Sequence, residues 1–157
     1  MLRNTTLGFP KREYNLCLGM KKRGFGVNRY NGFGGKLDGD ETLEEALVRE
    51  LNEEVGISVL PEHLRKVAEL TFIFPHKPEW SQIVHVYFFE QWLGEPMESE
   101  EMRPDWFHQD KLPYEKMWPD DKYWLPEVLQ GKYVTARFVF ANDQSTILEM
   151  EVNTKES

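Results

Sequence analysis

Cysteine is nearly missing: Cys17 is the sole one among 157 residues, which rules out a disulfide within the chain and any cysteine-based metal framework. A reducing, cytoplasmic setting is therefore expected. Long apolar runs are missing too. The longest, 70–75 and 83–89, are far too short to cross a bilayer. The first fifteen residues are broken by Asn4, Gly8, Pro10, Lys11, Arg12 and Glu13, which leaves no signal-peptide core. Positive charge is scarce. With 19 Lys and Arg against 27 Asp and Glu, the net charge of −8 opposes approach to nucleic-acid duplexes and to anionic membranes. A free nucleotide is still compatible, because it needs only a local cationic patch or a bound metal. Internal repeats and low-complexity tracts are lacking as well.

What remains is ordinary for a globular chain: 40% hydrophobic and 29% charged residues, in a length that suits one domain over 1–157, expected to be a monomer. Aromatic residues reach 13%, enough to fill a core and also to wall a pocket for a flat ligand. Tyr14 to Met20, Val67 to Phe74 and Ile83 to Trp92 read as strands, and Trp106 to His108 as a short one. Lys21 to Gly26 is a cationic, glycine-punctuated stretch, Asn31 to Gly35 a loop, and Gly94 to Arg103 an acidic segment. Thr42 and Glu45 fit a capping box, opening a helix that runs to Val55 and stops at Gly56. A second helix is expected over Tyr123 to Gln130. Tyr133 to Ala141 and Thr146 to Val152 suggest a closing hairpin. These elements predict an α+β fold, a mixed sheet with helices packed on it as an α-β-α sandwich.

The segment GKLDGDETLEEALVRELNEEVGI, Gly35 to Ile57, carries the chemistry. Glu50, Glu53 and Glu54 stand at i, i+3 and i+4 and share one helical stripe, beside an apolar stripe of Leu47, Val48, Leu51 and Val55. Like charges so spaced repel by roughly 0.2–0.5 kcal/mol per pair. Arg49 can reach Glu45 or Glu53 one turn away, but one guanidinium cannot neutralise the cluster. Oxygen-only ligands suit a hard cation, magnesium or manganese (Mg2+ or Mn2+). A solvated acidic face would explain the carboxylates alone. It gives no reason for Gly35, Glu41, Arg49 and Gly56 at their offsets.

Those residues, with Leu51 and Ile57, fill every defined position of the Nudix signature, a coincidence on the order of 10⁻⁹ per start position at average residue usage. The chain thus resembles the Nudix hydrolases. Gly19 to Gly26 (GMKKRGFG), Asn31 to Lys36 (NGFGGK), Glu101 to Trp106 and Trp118 to Trp124 (WPDDKYW) extend the resemblance to the MutT-related branch, in particular animal-type enzymes acting on oxidised purine nucleoside triphosphates such as 8-oxo-dGTP and 2-hydroxy-dATP. The resemblance implies the Nudix fold, hydrolysis to a monophosphate and pyrophosphate, and a small-molecule nucleotide as partner. It also implies magnesium held by Glu50, Glu53, Glu54, Glu101 and the Gly34 carbonyl. Arg49 would orient the carboxylates, and Glu53 or Glu54 would serve as base, with Glu101 next. The implied base pocket uses Asn31, Trp118, Asp120 and Asp121, with Thr6, Lys21 and Phe72 nearby.

Two neighbouring carboxyls in a dry pocket resist ionising together, so one should keep its proton and donate. Asp120 and Asp121 can converge only if the chain turns there, as Pro119 permits. The chain departs from the family pattern in a more polar Met1 to Phe9, in a longer Pro75 to Ser81 loop bearing Trp80, and in Tyr30 where tryptophan is usual. His63, His76, His85 and His108 show no metal-ligand spacing; His85 and Cys17 read as packed residues. Two other activities fit the box: a Nudix pyrophosphatase for unmodified deoxynucleotides, ADP-ribose or dinucleoside polyphosphates, and a non-catalytic nucleotide-binding module.

Overall fold

Helix α1 (Leu43–Val55) is specified at both ends. The Thr42 hydroxyl accepts from the Glu45 N–H at 3.1 Å, the Glu45 carboxylate accepts from the Thr42 N–H at 2.8 Å, and left-handed Gly56 (φ 72°) ends the helix. Such caps contribute about 1 kcal/mol each. Ala46, Leu47, Leu51 and Val55 are buried, so one face of α1 is committed to the core. This computed structural model describes residues 2–156; Met1 and Ser157 lie outside the described residues.

Strands β1 (Arg3–Arg12), β2 (Asn15–Lys21), β3 (Tyr30–Asn31), β4 (Arg65–Ile73), β5 (Gln82–Phe89), β6 (Met102–His108), β7 (Lys132–Phe140) and β8 (Ile147–Glu156) form one sheet. Its order is β3-β2-β1-β5-β4-β7-β8, with β6 also on β2. The β1–β5 and β4–β7 pairs are parallel and the others antiparallel, which makes the sheet mixed as expected. Alternation along β5 separates two cores. Val84, Val86 and Phe88 join Trp124, Leu125 and Val128 of helix α2 (Asp121–Leu129), whereas Tyr87 and Phe89 join Leu47, Leu51 and Val55 of α1. A helix on each face completes the α-β-α sandwich.

Four boundaries differ from expectation. The polar N-terminus is a full strand, β1, aligned with β5 from Arg3↔Gln82 to Pro10↔Phe89. Its buried Thr5 and Thr6 satisfy their hydroxyls on neighbouring segments, Thr5 on the Gln82 side chain at 2.9 Å and Thr6 on the Gly35 carbonyl at 3.3 Å, so polarity there marks a lined wall. β6 starts at Met102 instead of Trp106, because it pairs with β2 along its whole length. Helix α2 starts at Asp121 instead of Tyr123, and β8 runs beyond Val152 to Glu156.

Candidate active site

β1 and the loop 32–35 run side by side: the Gly8 and Phe33 backbones exchange hydrogen bonds and the Thr6 N–H donates to the Gly35 carbonyl at 2.9 Å. The approach is too close for side chains. A Cβ at Gly34 would lie 2.0 Å from the Thr6 carbonyl oxygen, and one at Gly35 would lie 2.8 Å from Glu50 Oε1. The loop therefore brings bare backbone against both β1 and α1, at the floor of a cavity of about 520 Å³. That volume suits a small-molecule ligand. Its walls include Thr6, Lys21, Asn31, Gly34, Glu54, Phe72, Trp118, Asp120 and Asp121, so every base-pocket residue expected from the sequence meets there with two of the expected metal-site residues. Arg49, Glu50, Glu53 and Glu101 are not among the lining residues.

At the α1 end, Arg49 is the hub. Its guanidinium donates to Glu41 at 2.8 and 3.0 Å, to Glu50 at 3.1 Å, to Glu53 at 3.0 Å and to the Lys36 carbonyl at 3.0 Å. Glu45, one of its two expected partners, is held by the helix cap instead. Glu54 turns the other way and accepts from the Gly34 N–H at 3.1 Å. Burial, and then the charge of Glu50, pushes the Glu54 carboxyl up to about 8; burial also raises Glu50. Lys21 pairs with Glu101 at 3.2 Å and holds that carboxyl below its usual range. The neighbouring cations pair likewise, Lys22 with Glu98 and Arg23 with Glu100, so the basic stretch meets the acidic segment. Among the described residues no three Asp, Glu, His or Cys side chains form a ready-made metal cluster.

At the α2 end the chain turns after Pro119 into the helix, which is what lets Asp120 and Asp121 converge. Both are buried, at 0% and 3% exposure. Trp124 Nε1–H donates to Asp120 Oδ2 at 2.8 Å, while Asp120 Oδ1 and Asp121 Oδ2 have no partner. Burial pushes Asp120 up to about 6, and burial followed by the charge of Asp120 pushes Asp121 well above the carboxylate range. Of the two, Asp121 is the one whose protonated form the surroundings favour more. Arg29 stacks 4.3 Å from the Trp118 ring centre and its charge favours the ionised form of both aspartates. Trp124 is wholly buried and helps wall the cavity as a positioning group for Asp120; Trp118 is 7% exposed and faces the cavity.

Several wall residues escaped the sequence reading: Arg3, Phe25, Phe74 and Gln82. The lone clue for Phe25 was its place between Gly24 and Gly26, both at positive φ. Trp80 also lines the cavity, where the lengthened 75–81 loop meets Phe25. His85 is packed as expected, bonded to Asn4 Oδ1 at 2.9 Å, and burial raises the Cys17 thiol to about 12, which makes it an inert filler.

Comparison with known proteins bears on the family and the fold. The NUDIX domain model matches residues 11–128. An oxidized purine nucleoside triphosphate hydrolase of Mus musculus is 45% identical over 152 residues, covering 97% of this chain and 95% of the relative. One of Danio rerio is 47% identical over 135 residues, covering 86% and 85%. The crystal structure of a MutT protein from Bacillus halodurans superposes with a TM-score of 0.83 at 20% identity, over 97% of this chain and 98% of that one.

Proposed function

The chain belongs to the NUDIX family, and from that membership together with the cavity's chemistry we propose that it hydrolyses oxidised purine (deoxy)nucleoside triphosphates, 8-oxo-dGTP and 2-hydroxy-dATP among them, to the monophosphate and pyrophosphate. The observation that carries this reading is the buried Asp120–Asp121 pair, with two unpartnered oxygens, in the same cavity as Asn31, Trp118 and the Glu54 carboxylate. An 8-oxopurine differs from guanine in carrying a hydrogen on N7 and an oxygen on C8. A pair that holds one proton presents both an acceptor and a donor, and the Asn31 amide adds one of each. Leaving such groups unpaired on the wrong base costs more than a misfit of shape, so the pair discriminates by chemistry. Trp118 and Phe72 would hold the flat ring, and Thr6 and Lys21 border it.

NUDIX hydrolases generally use divalent metal ions, and the residues here fit one. Glu50, Glu53, Glu54, Glu101 and the Gly34 carbonyl supply only oxygen, the donor that Mg2+ or Mn2+ prefers. The raised Glu54 carboxyl, buried beside Glu50, is an electrostatic load that a dication would relieve. Bound there, Mg2+ would offset phosphate charge and favour the attack of water on phosphorus. The chain's own residues do the rest. Glu53 or Glu54 takes the proton from the attacking water, with Glu101 next in line, and Arg49 holds Glu50 and Glu53 in place against their mutual repulsion.

The test is to incubate the protein with Mg2+ and 8-oxo-dGTP, 2-hydroxy-dATP, dGTP, ATP or ADP-ribose, and to resolve products by chromatography. Pyrophosphate should appear fastest from the two oxidised purines. Faster turnover of ADP-ribose or of the unmodified nucleotides would replace the reading with another pyrophosphatase activity.

A further inference from the structure

We propose that Trp80 is a specificity-determining residue, whose indole roofs the mouth of the cavity and favours a flat bicyclic base over a monocyclic one; this rests on the nucleotide reading above. Trp80 sits on the loop between β4 and β5, in the single turn Pro78–Trp80. The loop is anchored at three points. Ser81 Oγ accepts from the buried Phe74 N–H at 2.9 Å, Gln82 Nε2 donates to the Trp80 carbonyl at 3.1 Å, and Gln82 Oε1 accepts from the Thr5 hydroxyl at 2.9 Å. The last two bonds tie the tryptophan backbone to β1, which lines the cavity. An indole on so fixed a support loses little further freedom when a ligand meets it.

The ring itself is half-buried and lines the cavity, instead of being sealed in the core as Trp124 is. Its centre lies 4.8 Å from that of Phe25 and 6.0 Å from that of Phe74. Phe25 in turn lies 5.0 Å from Trp118, so three rings carried on distant segments make a continuous arc from Trp80 to the side chain next to the aspartate pair. Phe25 is 44% exposed, which leaves apolar surface on this arc still in contact with water. Lys77 Nζ lies 4.3 Å from the Trp80 ring centre, and its charge favours the electron-rich face of the indole. An apolar arc with water-exposed surface gains most from a ligand that is flat, aromatic and large. A purine presents more ring area to it than a pyrimidine does, and removal of one stacking ring typically weakens nucleobase binding about tenfold or more.

The experiment measures kcat and KM of the Mg2+-loaded full chain on 8-oxo-dGTP, dGTP and dCTP, for the native protein, Trp80→Ala and Trp80→Phe. Trp80→Ala should raise KM for both purine nucleotides about tenfold with kcat nearly unchanged, raise KM for dCTP far less, and leave the melting temperature close to native. Trp80→Phe should recover most of the loss, since it keeps a flat ring on the same anchored loop. An unchanged purine KM in Trp80→Ala, an equal rise for dCTP, or recovery by neither ring size nor flatness would overturn the proposal. Native protein that releases no pyrophosphate from any purine triphosphate would instead sink the nucleotide reading itself. If Trp80→Ala melts far below native, Trp80→Phe and Trp80→Leu decide: selectivity retained with leucine removes the ring's role.

Discussion

One cavity has acidic residues at both ends and handles them in opposite ways. On α1, Arg49 donates directly to Glu41, Glu50 and Glu53, leaving Glu54 as the buried carboxyl with a single backbone donor. At the start of α2, among the described residues, no cation is bonded to either aspartate; burial favours a protonated Asp121 and Trp124 steadies Asp120. The difference separates two tasks. Negative charge gathers oxygen ligands for a metal, and a shared proton provides donor and acceptor for reading a base.

The sharpest way to break this contrast is Glu54→Gln. It should lower pyrophosphate release by about 10³-fold at saturating Mg2+, with circular dichroism and melting temperature at least as good as native, because the amide has no ionised form for burial to penalise. Native turnover in that variant would place catalysis elsewhere. Asp120→Asn comes next: kcat/KM on 8-oxo-dGTP should fall about 10- to 100-fold, with a far smaller change on any ADP-ribose turnover. Equal losses on both substrates would remove the base-reading role.

A third effect is on stability and tests the shared proton. A carboxyl whose folded value lies above its unfolded one, about 4, costs nothing below that value and costs increasingly more as pH rises from there towards the folded value. Asp121→Asn should therefore raise the melting temperature at pH 7.5, with the gain shrinking to nothing near pH 4. A gain independent of pH would show that Asp121 is not protonated in the folded state. The smallest effect should come from Thr42→Ala, which removes the α1 cap and costs about 1 kcal/mol in urea unfolding, with little change in substrate preference.

The α1 end was the more legible of the two. Thr42, Glu45 and Gly56 announced the helix, and the carboxylate spacing announced its charged stripe, because both depend on neighbours within two turns. Spacing could not reveal that Glu54 alone of that stripe is buried, since Gly34 arrives from another segment. The aspartate pair was readable only as a condition, that the chain turn after Pro119, which helix α2 fulfils. The strand nature of the polar β1 was not legible, because its threonines find partners on Gln82 and Gly35, far along the chain. The Phe25–Trp80–Trp118 arc was invisible for the same reason: three loops meet in it, and none of them carries a pattern that names the others.

The placement of β1 has a consequence for how the chain matures on the ribosome. Residues 3–10 emerge well before their parallel partner, 82–89, so the strand that walls the cavity waits while everything between is synthesised. α1, closed by its own caps, can form in that interval. Nascent chains halted before residue 82 should accordingly hold a helix but be unable to retain nucleotide.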